Sequence, residues 1–403
     1  MHAKLQTMDY ITESSFRKIN NVPLAFSRYL MDKIRWDARL IGIKGARGVG
    51  KTTLMLQYLK KNIPLQSGLY VSLDNIWFGE NTLIDLADAF SKKGGTFLFL
   101  DEVHKYPDWS RQIKNIYDDF PDMKIVFSGS SMLEILNARA DLSRRAISYS
   151  MAGLSFREFL NMLLDKSLPA FSLDDILLGH TEIASEILKK IKPFQYFEKY
   201  LKTGHYPFFA ESEELYPERI EEIVRMIIEI ELPILRGIEP AYLPKIRQLM
   251  QIIAQSVPFM PNMSKLSERI GINRNTLVSY LNYMDEAGLI KNIYKDSVGI
   301  TKLQKPEKIY LENTNLMFAF KYGEPEKGNV RETFFVNQLL ENHLITYTDT
   351  GDFVVDNKYT FEIGGKNKSK KQIAQVPESY IVIDDAEYGT NNKIPLWLFG
   401  FLY

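Results

Sequence analysis

The sequence contains no cysteine, which removes disulfides and thiolate metal centres from its chemistry. It has no excess of either charge: 50 lysines and arginines balance 50 aspartates and glutamates over 403 residues. A neutral total creates no global field toward nucleic acid, so any such contact has to come from a local patch. No apolar run approaches the roughly 18 residues that a membrane span needs. The N-terminal stretch MHAKLQTMDYITESSF lacks the apolar core of a leader peptide. Histidine is scarce: His2, His104, His180, His205 and His343 are scattered, with no two at helical spacing, and a zinc site is not expected. Internal repeats, low-complexity tracts and charged tails are missing too. These absences leave a soluble globular chain, long enough for two or three domains and expected in the cytoplasm, away from membranes.

Four short apolar runs stand out in what is there: LIGIKG (40–45), LYVSLD (69–74), FLFLDE (97–102) and KIVFSGS (124–130). They are continuous rather than alternating, as in strands buried on both faces of a parallel sheet. Amphipathic stretches such as TTLMLQYLKKNI and WSRQIKNIYDDF lie between them. This β-α-β rhythm predicts an open, doubly wound α/β sheet over residues 1–150.

Between the first strand and the first helix stands GARGVGKTT, comprising Gly45, Ala46, Arg47, Gly48, Val49, Gly50, Lys51, Thr52 and Thr53. It fits Gly-x-x-x-x-Gly-Lys-Thr in the strand–helix context that this phosphate loop requires. The glycines let successive backbone N–H groups turn inward toward phosphate oxygens, and the following helix adds its positive end. Lys51 is suited to reach the β- and γ-phosphates of ATP, and the Thr52 hydroxyl to hold Mg²⁺. About 50 residues on, FLFLDE delivers Asp101 and Glu102 to the C-terminal edge of a buried strand, where ligands bind in open α/β sheets. Asp101 is suited to share the Mg²⁺ with Thr52, and Glu102 to orient and deprotonate the attacking water. The next strand ends in FSGSS, whose Ser128 and Ser130 either face the γ-phosphate and water or cap the helix that follows.

The phosphate loop, FLFLDEVHKYPDW, VFSGSS, SRRAISYSMAGLSFREFL and YLKTGHYPFF together resemble a family of bacterial and archaeal AAA-type ATPases. The resemblance covers nearly the whole chain. It implies an additional-strand P-loop NTPase sheet with the VFSGS strand between the two Walker strands. After it should come a helical lid with linker (151–240), a winged helix (241–300) and a small restriction-endonuclease-like α/β domain (301–403). It also implies an arginine near the end of the core acting as sensor or as a finger into a neighbouring subunit of an oligomer. Arg144 and Arg145 occupy that region, and such a finger is worth about 10³–10⁵ in rate. In the lid, Ser155 and Glu158 have capping-box spacing, and Gly204 is expected to end a helix.

Farther on, SKLSERIGINRNTLVSYLNYMDEAGLIKNIY reads as helix, turn at Gly271, and a second helix capped by Asn273 and stopped at Gly288. Leu277, Tyr280, Leu281 and Met284 form the buried stripe of that second helix. Its outer positions, Arg274, Asn275, Ser279, Asn282 and Tyr283, are candidates for DNA, with Lys291 and Lys295 nearby. So weakly basic a face leaves a protein contact equally open. In the last hundred residues, RETFFVNQLLENHL reads as a helix and GDFVVDNKYTFEIGG as two strands turning at Asp356–Asn357. By the nuclease resemblance Asp352 and Glu362 are metal carboxylates and Glu332 a third acid. The pattern calls for lysine two residues after the glutamate, where this chain has Gly364. Lys366 is the candidate substitute, within a basic group that includes Lys368, Lys370 and Lys371. The departure predicts an inactive nuclease that binds DNA or a protein partner instead. The terminal IPLWLFGFLY is expected to close the domain as a strand. A Mg²⁺-dependent ATPase controlling the later modules is the reading favoured by these residues. An ATP-gated DNA-binding switch with negligible turnover and an ATP-dependent nuclease are the alternatives.

Overall fold

The structure, a computed structural model, describes all residues except 1, 130–141, 143, 257, 296–304, 321–322 and 370–371, with backbone alone for 2–7. The chain divides into two compact units, Met1–Ala152 and Gly153–Tyr403.

In the first unit, helix α1 (His2–Asn21) precedes β1 (Leu40–Lys44), α2 (Lys51–Asn62), β2 (Gly68–Ser72), α3 (Leu83–Lys92), β3 (Phe97–Asp101), α4 (Trp109–Asp119), β4 (Lys124–Gly129) and β5 (Ile147–Ser150). The five strands are all parallel, in the order β2-β3-β4-β1-β5. β4 therefore lies between the strand that leads into the glycine loop and the strand that ends in Asp101. Ile41, Ile43, Leu98, Leu100 and Ile125 are all 0% exposed. Burial on both faces explains why these strands read as unbroken apolar runs. Parallel alignment also brings all the strand C-termini to one edge, and that edge carries the site.

The second unit opens with α5 (Phe156–Leu164), started by the reciprocal capping box of Ser155 and Glu158. There follow α6 (Leu173–Leu188), α7 (Phe194–Thr203), which Gly204 ends, α8 (Tyr216–Met226) and α9 (Leu243–Ser256). Next come α10 (Met263–Ile270) and α11 (Arg274–Glu286), joined by a turn with Gly271 at φ +70°. The Asn273 side chain caps α11 by accepting from the Thr276 N–H. Leu277, Leu281 and Met284, each 0% exposed, bury the inner stripe of α11. Two antiparallel strands, β6 (Ile290–Ile293) and β7 (Lys308–Leu311), complete this part, and Phe259 bridges to Ile309 on the outer side of β7. The β6–β7 pair spans the boundary expected at residue 300, so the two segments it separates share a backbone ladder.

Beyond α12 (Thr314–Phe320) and α13 (Lys327–Leu339) lie β8 (Ile345–Tyr347), β9 (Phe353–Val355), β10 (Tyr359–Gly364), β11 (Ser379–Ile383) and β12 (Lys393–Pro395). They form one sheet in the order β12-β11-β10-β9-β8, antiparallel from β8 to β10 and parallel from β10 to β12. Asp356 and Asn357 take φ values of +53° and +55° at the β9–β10 turn, the left-handed pair that a tight hairpin demands. The terminal apolar run is not the strand its sequence suggests. β12 stops at Pro395, and Leu396–Phe401 is a 3₁₀ helix. Every side chain of that helix is buried, so no exposed face imposes a periodicity by which strand and helix could be told apart.

Polar side chains hold this unit together inside. Gln338 on α13 donates to the Tyr200 hydroxyl at 2.9 Å and accepts from the Phe156 N–H at 3.3 Å. Asn315 on α12 donates to the Leu201 carbonyl at 2.7 Å and accepts from the His205 N–H at 2.8 Å. Helices more than a hundred residues apart in sequence thus share one hydrogen-bonded interior.

Candidate functional site

The loop between β1 and α2 carries Gly48 and Gly50 at φ +83° and +100°, a left-handed geometry that only glycine adopts without strain. Gly45 is required for space instead: a Cβ there would come within 2.4 Å of the Met151 carbonyl oxygen. Lys51, buried at the start of α2, folds back so that Nζ donates to the carbonyls of Gly45 and Ala46, both at 2.9 Å. Arg28 braces the loop from outside the motif. Its guanidinium donates to the Val49 carbonyl and, at 2.7 Å, to the Ala152 carbonyl.

Asp101 ends β3 beside this loop and is 2% exposed. The Thr52 hydroxyl donates to its Oδ2 at 2.5 Å and the Tyr70 hydroxyl to the same oxygen at 2.7 Å. Ser128, at the end of β4, donates to Oδ1, as does the Glu102 N–H at 3.0 Å. The structure thus brings Ser128 to the Asp101 carboxylate; Ser130 lies outside the described residues. Burial first, then the Asp101 charge, pushes the Tyr70 phenol far above its ordinary pKa, so it stays a donor. Tyr70 had a readable signal. It pairs with Phe99 in the β2–β3 register, and side-chain alternation puts Asp101 on the same face one step along.

Glu102 takes a left-handed backbone, φ +53°, and its Oε2 lies 3.4 Å from His104 Nε2. Burial, with Lys105, Lys51 and Arg47 adding, lowers the His104 pKa to about 4. The imidazole is therefore neutral near pH 7 and places no positive charge beside the glutamate. Arg28 lies outside every motif of the sequence, and His104 lies within FLFLDEVHKYPDW but has no role there by its spacing. Arg28 acts through contacts the linear pattern does not encode.

Arg144 and Arg145 sit elsewhere. They precede β5, whose Ile147 pairs with Ile41 near the start of β1, whereas the glycine loop leaves the far end of that strand. About 17 Å of strand separates the two edges. Arg144 is exposed. Arg145 makes two 3.1 Å contacts to Asp118, at the C-terminal end of α4.

The second unit gathers its own carboxylates. Glu332 of α13, Asp352 just before β9 and Glu362 of β10 lie near two lysines, Lys308 of β7 and Lys368. The Tyr310 hydroxyl donates to Glu332 Oε2 at 2.6 Å, and the Ile363 N–H donates to Asp352 Oδ2 at 2.7 Å. Lys366 is exposed and lines a separate cavity with Phe194, Asp385 and Tyr388. Lys368 is the lysine that reaches Glu362. Lys370 and Lys371 lie outside the described residues. Among the described residues, no group of three or more histidines and acids is arranged to hold a metal ion, and no helix is long and apolar enough to cross a membrane.

On α11, Arg274 and Asn275 are exposed, while Ser279, Asn282 and Tyr283 are half-buried. Asn282 accepts from the Tyr294 hydroxyl at 3.3 Å, and the Arg236 guanidinium lies 4.9 Å from the Tyr283 ring centre. Arg236, Tyr242, Arg274, Ser279 and Tyr283 line an open groove of about 720 Å³ along this helix.

Three kinds of comparison bear on these features. Residues 194–325 match a domain of unknown function (DUF8612). No curated protein matches the chain. Solved structures with partial likeness include PCH-2 of C. elegans, at 18% identity over 40% of this chain and 46% of that one, TM-score 0.24. Another is the S. cerevisiae Hsp104–ADP complex, at 16% identity over 69% of this chain and 41% of that one, TM-score 0.32. NtrX from Brucella abortus in complex with ADP shares 16% identity over 67% of this chain and 71% of that one, TM-score 0.27. The chain spans less than half the length of the first two. Residues 37–160 match the AAA domain, and with the β2-β3-β4-β1-β5 parallel order and the glycine loop after β1 they make this stretch an AAA-type P-loop domain.

Proposed function

We propose that the chain binds ATP with Mg²⁺ and hydrolyses it, using Lys51, Thr52, Asp101 and Glu102. The observation that carries this reading is the meeting of Thr52 and Asp101 at 2.5 Å beside the glycine loop. A hydroxyl and a carboxylate so close are hard oxygen donors of the kind Mg²⁺ selects. Thr52 and Asp101 would hold the ion, which when bound would supply positive charge to offset that developing on the phosphates. Backbone N–H groups from Gly45 to Thr53 would cradle the phosphates, and Lys51 would exchange the Gly45 and Ala46 carbonyls for phosphate oxygens. Water attacks the γ-phosphorus, the bond to the β-bridging oxygen breaks, and Glu102 takes the water proton on its carboxylate. Neutral His104, 3.4 Å from Glu102 Oε2, orients that carboxylate without weakening it as a base. Ser128 fixes the second oxygen of Asp101. Arg144, exposed on the far edge of the sheet, is free of the cis site and suits contact with a second copy better than a sensor role.

We further read α9–α11 with the β6–β7 pair as a winged helix, and the C-terminal sheet as a restriction-endonuclease-like scaffold, both responding to nucleotide state. The groove along α11 favours a second reading, nucleotide-gated binding of nucleic acid, because Arg274 and the tyrosines Tyr242 and Tyr283 supply a cation and stacking faces. ATP turnover measured alone and with single- or double-stranded DNA tests both. Turnover lost in Glu102→Gln supports the first reading, and turnover unchanged in that variant would remove Glu102 from its role. DNA stimulation that Arg274→Ala abolishes supports the second, and no DNA binding at low salt would rule it out.

A further inference from the structure

The nuclease pattern predicts a divalent cation shared by Asp352, Glu362 and Glu332, assisted by a lysine two residues past the glutamate. The residues around these acids do not fit that ion. Lys308 Nζ lies 3.3 Å from Glu332 Oε2 and 3.8 Å from Asp352 Oδ1, between the two carboxylates a metal would bridge. Lys368 Nζ lies 2.5 Å from Glu362 Oε1. The aliphatic stem of Lys368 covers Gly364, where an added Cβ would come within 2.6 Å of Lys368 Cδ. A lysine from four residues downstream therefore fills the room that the missing side chain leaves. Gln372 adjoins the same carboxylate, and Tyr310, on the same face of β7 as Lys308, donates to Glu332.

The charge balance points the same way. Two ammonium groups face three carboxylates. A divalent ion entering here would meet two positive charges within a few ångströms at a mostly buried site, where such repulsion is little screened.

We propose that Lys308 and Lys368 stand in the place of the metal, making the three acids a permanently counter-charged cluster that is closed to divalent cations and ties strand β7 to the C-terminal sheet. The cluster accounts for the glycine at 364 without loss of the acids: they remain because they now hold lysines.

The test is Mn²⁺ binding to the full chain without nucleotide, read from the loss of the free-ion EPR signal, so it does not depend on ATP turnover. The unaltered chain should show no Mn²⁺ site that Glu362→Gln removes. The double variant Lys308→Met/Lys368→Met should bind Mn²⁺ at least about tenfold more tightly, since repulsion by two nearby charges is lifted, and adding Glu362→Gln should abolish the gain. A Glu362-dependent Mn²⁺ site in the unaltered chain would overturn the proposal. So would a double variant with native circular dichroism and no gain. If Lys308→Met prevents folding, Lys368→Met alone, at a side chain 33% exposed, carries the same test with a smaller gain.

Discussion

Asp101 and Glu362 are both carboxylates on buried strands, each 2% exposed, and the company they keep is opposite. Asp101 is ringed by neutral donors: the hydroxyls of Thr52, Tyr70 and Ser128, and the Glu102 N–H. Glu362 meets the Lys368 ammonium. Hydroxyls satisfy an oxygen's hydrogen-bonding capacity while leaving its charge uncancelled, and a hydroxyl can turn to offer a lone pair to an arriving cation. An ammonium cancels the charge and has no lone pair to offer. The same residue class at similar depth thus keeps its charge uncancelled in one unit and is paired with an ammonium in the other.

The largest expected effect tests the difference directly. Asp101→Asn should lower ATP turnover about 10²–10³-fold, as expected for loss of a charged group at a phosphoryl-transfer site. Glu362→Gln should leave turnover within about twofold, because Glu362 is not among the groups that hold Asp101. Equal losses in steady-state assays would break the contrast. Next in size is Lys308→Met. It leaves Glu332 and Asp352 buried against a lost counter-charge, and should cost the second unit about 2–4 kcal/mol in denaturant titration. Tyr70→Phe removes a neutral donor from an acid that keeps its other donors, so its cost should be nearer 1 kcal/mol.

A pH dependence separates the two clusters further. Because the His104 pKa falls from 6.5 to about 4 on folding, the native state binds fewer protons than the unfolded chain between those values. The stability it contributes is therefore complete above pH 6.5 and is lost as pH falls through about 4. Urea midpoints across that window should decline less steeply for His104→Gln than for the unaltered chain. Smallest is Gly364→Ala. Its backbone tolerates a side chain, and the crowding is against a lysine stem that can swing away, so a loss of about 0.5–1 kcal/mol is expected.

Most of the proposed nucleotide edge is legible because its residues cluster in sequence. Gly45 to Thr53 are contiguous, and Asp101 and Glu102 end a run whose burial is written in its composition. The place of β4 between β1 and β3 follows from the resemblance; the outer places of β2 and β5 come from the structure. Tyr70 and Arg28 escaped notice because they reach the site from another strand and from a segment ahead of β1. In the second unit, the three acids could be read, but the lysine that meets them could not. Lys366 is the nearer in sequence, yet a turn closed by the Lys368 N–H on the Gly365 carbonyl, at 2.9 Å, sends Lys366 outward and lays Lys368 over Gly364. Lys308 is more remote still, since it enters from β7, whose ladder partner β6 lies across the expected boundary. The terminal apolar run misled because it is buried all round.

The β6–β7 pair has a bearing on how this protein can be dissected. β7 is hydrogen-bonded to β6 on one side, while Lys308 and Tyr310 reach from it into the acid cluster. A fragment ending at residue 300 would keep β6 with its edge bare, and one starting at 301 would keep β7 without the strand that aligns it. Each would expose an unpaired ladder prone to pairing with other chains. The amides of β7 and β10 should instead exchange with deuterium in one cooperative opening, so that limited proteolysis spares this part of the chain or consumes it whole.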